Sequence, residues 1–77
     1  MYTVEFEPDA SIITSIDDGG EYNDIEVIIG DNGGVYLRQF EDLLDEYAVV
    51  YISYKQLIEI YAAIHSTDGA YRLEIQR

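Results

Sequence analysis

A chain of 77 residues with sixteen acidic side chains against four basic ones carries a net charge of −12, so it repels nucleic acid and anionic membranes. It has no cysteine, which excludes disulfide staples and all-thiolate zinc sites, and it has no apolar run long enough to span a bilayer. With 48 % hydrophobic residues and eight tyrosines, it reads as one domain, residues 1–77, with a small core that a partner or a second copy would complete.

The opening Met1-Tyr2-Thr3-Val4-Glu5 lacks the basic start of a signal peptide, and a soluble cytoplasmic protein is expected. Tyr2 to Glu7 alternates as a strand, with Tyr2, Val4 and Phe6 set to pack and Thr3, Glu5 and Glu7 to face water. Glu7-Pro8-Asp9-Ala10 is a turn with proline at its second position, and Ser11 to Ile16 is the returning strand. Asp17 to Asn23 is a loop by composition.

Asp24 to Gly30 and Val35 to Phe40 flank Asp31-Asn32-Gly33-Gly34, the strongest hairpin signal in the chain, because Asn-Gly tolerates positive φ. Glu41 to Tyr47 admits two readings. Phe40, Leu43, Leu44 and Tyr47 have helical spacing, but the segment is short for an independent helix, so a connection between antiparallel strands is preferred.

Val49 to Ile52 is a strand, and the period changes at Ser53. Tyr54, Leu57, Ile58, Tyr61 and His65 then follow one helical face. Ser53 and Gln56 form a capping box, and Ile52 and Leu57 the matching hydrophobic staple. Ser66-Thr67-Asp68-Gly69 ends the helix, and Ala70 to Gln76 alternates as a last strand. The expected fold is α+β: a mostly antiparallel sheet of five or six strands with one main helix, about Tyr54 to His65, packed on one face.

No motif names a reaction. The lone histidine, His65, has no matched nucleophile, and neither a phosphate-binding glycine loop nor a zinc-protease motif is present. The acidic loop from Asp17 to Glu26 fails the spacing of a calcium-binding EF-hand and reads as a solvated turn. The chain is therefore expected to be non-catalytic, with no metal and no cofactor.

Charge placement carries the sharper expectation. Residues 1–37 hold nine acids and no base, for a net charge of −9 against −3 in the remainder. Such a lopsided field favours a basic partner over mere solubility, which mixed-sign surfaces serve. The expected partner-binding residues are Glu5, Glu7, Asp17, Asp18, Glu21, Asp24, Glu26 and Asp31 for charge, with Tyr22 and Tyr36 as anchors. Tyr54 and Tyr61 are expected to fill the core.

By its size, its lack of cysteine and the acids of residues 1–37, the chain resembles the small acidic inhibitors encoded by phages and mobile elements, the anti-CRISPR and anti-restriction class. Some of these are nucleic-acid mimics. The resemblance implies an inhibitor that occupies the positive groove of a nucleic-acid-binding protein or complex; it has no motif from which a functional residue could be carried over. Two alternatives stand beside it: a small homo-oligomeric assembly module, such as a homodimer, and an acidic immunity protein or antitoxin neutralising a basic enzyme.

Overall fold

The computed structural model describes residues 1–66. Five strands, β1 (Tyr2–Glu7), β2 (Ala10–Ser15), β3 (Ile25–Gly30), β4 (Gly34–Glu41) and β5 (Glu46–Ser53), precede one helix, α1 (Tyr54–Ile64). The strands form a single antiparallel sheet in the order β1-β2-β3-β4-β5, so each pairs with its neighbour in sequence. The fold is α+β, an open five-stranded meander with one helix. The strand expected over Ala70 to Gln76 lies outside the described residues.

Register sorts the side chains into two faces, because residues directly opposite one another share a side. One face holds three rows: Tyr2-Ser15-Ile25-Gln39-Ala48, Val4-Ile13-Val27-Leu37-Val50 and Phe6-Ser11-Ile29-Val35-Ile52. The central row is aliphatic on every strand, and beyond Gln39 and Ala48 the same face carries the Glu41–Glu46 pair at its edge. The other face holds Glu5 and Glu7 on β1, Ile12 on β2, Glu26 and Ile28 on β3, Tyr36 and Arg38 on β4, and Tyr51 on β5.

The connections show why these strands turn where they do. Pro8 and Asp9 link β1 to β2. Between β3 and β4 the chain uses three residues, Asp31 to Gly33, and only Gly33 takes a positive φ, +87°. The amide of Gly33 donates to the Gly30 carbonyl (3.1 Å), and Asn32 Oδ1 accepts from the Gly34 amide (2.9 Å). Asn-Gly thus builds a three-residue hairpin with one left-handed glycine rather than a two-residue turn with two. Residues 42–45 form the turn between β4 and β5, not a helix, and Asp45 there adopts φ 53°.

α1 begins as its sequence dictates. Ser53 Oγ accepts from the Gln56 amide (3.0 Å), and Gln56 Oε1 accepts from the Ser53 amide (2.9 Å). At the other end the His65 amide donates to the Tyr61 carbonyl (3.3 Å). The helix touches the sheet through β4 and β5, and only Leu57 on it is half-buried.

Among the described residues only Ile28 and Val35 are fully buried. The expected packing of Tyr2, Val4 and Phe6 is not found among the described residues, where Tyr2 is 72 % and Phe6 81 % exposed. Tyr54 and Tyr61 are likewise exposed rather than core filler. The reason is geometric: α1 leaves β5 directly at Ser53 and packs chiefly on β5 and β4, so among the described residues it does not lie over β1.

Two substitutions probe the local rules. Ser53→Ala is expected to lower stability by about 1 kcal/mol through loss of the cap, seen as a lower urea midpoint at unchanged slope. Gly33→Ala, with open space for its methyl group but a left-handed backbone, should cost about 1–2 kcal/mol. Gly33→Asn should cost clearly less, and equal losses would show that φ is not the cause.

Candidate partner-binding site

In a meander, alternate connections emerge at the same end. The β2–β3 loop therefore lies beside the β4–β5 turn, at the end of the sheet remote from the start of α1. Asn23 ties them together: its Nδ2 donates to the Phe40 carbonyl (2.8 Å) and to Asp42 Oδ2 (3.1 Å), while Gln39 Nε2 donates to the Asn23 carbonyl (2.9 Å). Asp17, Asp18, Glu21 and Asp24 from the loop are thereby gathered with Glu41, Asp42, Asp45 and Glu46 from the turn and its flanking strand ends. Glu41 and Glu46 stand directly opposite one another across β4 and β5, a like-charge pairing that sheets disfavour.

The acids at this end have different tasks. Asp17 organises the loop: its carboxylate accepts the amides of Tyr22 (2.9 Å), Glu21 (2.9 Å) and Gly19 (3.3 Å). The Tyr22 amide bond is the largest influence holding the Asp17 carboxyl below its ordinary value. Asp18 pairs with the Met1 ammonium (3.2 Å), which also donates to the Ile16 carbonyl. Glu41 Oε1 accepts from the Leu43 amide (3.2 Å). Glu21, Asp24, Asp45 and Glu46 form no ion pair among the described residues.

The remaining expected site residues divide. Glu5 and Glu7 share the charged face of β1, as their spacing requires. Glu7 ends β1 near the opposite end of the sheet, where the Asp31 amide donates to the Asp9 carbonyl (3.0 Å) and joins two turns. Glu26 is not free: Arg38 Nε donates to its Oε1 at 2.6 Å, and this bond is the main influence holding the guanidinium more firmly protonated. Arg38 also lies 4.9 Å from the centre of the Tyr47 ring.

Tyr36 shares the charged face, opposite to Val35 and Leu37, and stacks against Tyr51 with ring centres 5.7 Å apart. Tyr22 is 71 % exposed and lines a hollow of about 520 Å³ with Asp17, Asp24, Glu26, Phe40 and Tyr47. Phe40 and Tyr47 meet edge-on at 5.3 Å. The site is thus an aromatic-floored hollow with a carboxylate rim, able to receive cationic side chains. Among the described residues no group of three or more metal-ligating side chains is placed to hold an ion. Nor does any described helix have the length and apolarity to cross a membrane.

Sequence reasoning placed the loop acids but missed Glu41, Asp42, Asp45 and Glu46. The signal was available in the parity of the hairpins, which puts the second and fourth connections at one end.

Asp17 supplies a test. A carboxyl titrating lower in the folded state stabilises the loop fully above its ordinary value of 3.8, and that contribution fades as pH falls through the lowered value. The amide resonances of Glu21 and Tyr22 should therefore hold steady down to about that pH and move below it. Asp17→Asn should shift both at neutral pH while leaving the β1–β5 amides in place.

No curated protein and no solved structure matches the chain. A family model does match, over residues 3–63, a span that takes in β1 to β5 and nearly all of α1. The chain belongs to the family described as a domain of unknown function, DUF8831.

Proposed function

We propose that this chain is a non-catalytic binding protein that sets its acidic end against the basic surface of a nucleic-acid-binding protein or complex and occludes it. The observation that carries this reading is the convergence of eight carboxylates, from the β2–β3 loop and the β4–β5 turn with its flanks, at one end of the sheet. Among the described residues that end has two cations against them, the Met1 ammonium on Asp18 and the Arg38 guanidinium, which borders the hollow and is engaged with Glu26 and the Tyr47 ring. Fixed anions on a braced scaffold offer lysines and arginines the charge-assisted bonds they otherwise make with phosphates. The Glu41–Glu46 pairing supports the reading, because stability alone gives no reason to place those charges opposite each other. Tyr22 and the Phe40–Tyr47 pair would supply apolar contact beneath the charges. The inhibitory, anti-defence role of the acidic proteins it resembles in size and composition is the biological setting this reading implies.

The binding residues in this proposal are Glu21, Asp24, Asp45 and Glu46 first, with Tyr22 as anchor. Asp17 positions the loop, and Glu26 is engaged with Arg38. Glu5, Glu7, Asp31 and Tyr36 border the charged face away from this end.

The test is capture of basic nucleic-acid-binding proteins from the native cell lysate by immobilised full-length chain, eluted with a salt gradient. Binding is expected to weaken by about tenfold or more between low and high salt and to be competed by duplex DNA or RNA. The triple variant Glu21→Lys, Asp45→Lys, Glu46→Lys should lose the captured proteins, whereas reversing Glu59 on α1 should not. Capture that ignores salt, or survives the triple reversal, overturns the reading.

A further inference from the structure

β1 is an open sheet edge. It stands last in the strand order, all six of its residues are exposed, and nothing among the described residues pairs with its outer side. Folded proteins blunt such edges with bulges, prolines or charges. The register of β1 with β2 runs unbroken from Tyr2 opposite Ser15 to Glu7 opposite Ala10, so there is no bulge, and Pro8 comes only after the strand ends. Charge is the device that is left, and it has one sign: Glu5 and Glu7 deter an acidic strand and not a basic one.

The phase of the ladder decides which backbone groups face outward. The Met1 ammonium donates to the Ile16 carbonyl (3.3 Å) and the Ile16 amide to the Met1 carbonyl (2.8 Å), so Met1 and Ile16 are a hydrogen-bonded pair one step before Tyr2 and Ser15. Bonded and non-bonded pairs alternate along an antiparallel ladder. Thr3, Glu5 and Glu7 therefore bond to β2, and the amides and carbonyls of Tyr2, Val4 and Phe6 point away from the sheet, repeating about every 6.8 Å.

We infer that β1 accepts an extended segment of another protein as an added strand, and that this segment alternates apolar with basic residues. Its backbone would meet the outward groups of Tyr2, Val4 and Phe6, which give strand addition its affinity, and its side chains give the specificity. Residues opposite Tyr2, Val4 and Phe6 join their apolar side, where Phe6 is 81 % exposed. Residues opposite Glu5 and Glu7 meet carboxylates that form no ion pair among the described residues. Opposite charges directly across a ladder are favourable and like charges are not, so those positions call for lysine or arginine. A second copy of β1 suits this edge less well, because it would set Glu5 and Glu7 twice over on one side of adjacent strands. The inference rests on the edge of β1 and not on the acidic end, so either can fail while the other stands.

The test is amide hydrogen exchange of the full chain, followed by NMR, with a capped octapeptide alternating valine and lysine as the probe. In the free chain the amides of Tyr2, Val4 and Phe6 should exchange fast, and saturating probe should slow them by about tenfold or more. The probe should also bind about tenfold or more tightly than a peptide of the same composition with its valines and lysines in separate blocks, which cannot match both sides of the edge. Glu5→Lys combined with Glu7→Lys should transfer the preference to a valine–glutamate probe. Val4→Pro, which removes an outward amide, should weaken binding of the valine–lysine probe by about tenfold or more; where it loosens β1 itself, the charge reversal decides. Equal binding of the alternating and block peptides, unchanged exchange at Tyr2, Val4 and Phe6, or a preference that the charge reversal leaves in place overturns the inference. So does slow exchange of those three amides in the free chain, the result expected where residues 67–77 or a second copy hold the edge.

Discussion

Backbone hydrogen bonding between sequential strands sets the shape of this molecule, for among the described residues only Ile28 and Val35 are fully buried. Each strand of the meander pairs with its neighbour in sequence, from Tyr2 opposite Ser15 to Glu41 opposite Glu46. That register is what gathers the aliphatic row on one side and Glu5, Glu7, Glu26 and Arg38 on the other. A slip by one residue would send Val4 and Val50 to the side of Glu5 and Tyr51 and destroy both surfaces at once.

From this constraint the rest follows. Because connections alternate between the two ends of the sheet, the loop after β2 and the turn after β4 must lie together, and Asn23 secures them. Carboxylates far apart in sequence become neighbours without any long-range packing. Asp17 and Asn32 show the same economy at smaller scale, each spending its side chain on nearby amides so that a loop holds its form without a core beneath it. Electrostatic repulsion among the acids is tolerated because the ladder, not the loops, sets the geometry.

Much of the fold was legible in the sequence. The alternation of Tyr2 to Glu7, the proline turn, the Asn-Gly connection and the Ser53–Gln56 box are local signals, and each acts within a few residues of where it is written. Burial was not legible in the same way. Alternation states which residues share a side, as Tyr2, Val4 and Phe6 do, but not whether anything lies over them. The helix was expected to pack on one face of the sheet, and its contacts are chiefly with β5 and β4, the strands nearest its departure from Ser53. The site was half legible: the loop acids stood out by composition, whereas Glu41 to Glu46 needed the hairpin parity, and the capture of Glu26 by Arg38 needed the register.

Nearest-neighbour pairing also governs how such a chain finds its structure. No strand has to wait for a distant partner, since every closure spans only one connection, and the helix nucleates on a cap written immediately before it. Topologies made of short-range contacts assemble quickly, hairpin by hairpin, with little search entropy to overcome. The first three strands thus need nothing from β4, β5 or the helix to find one another.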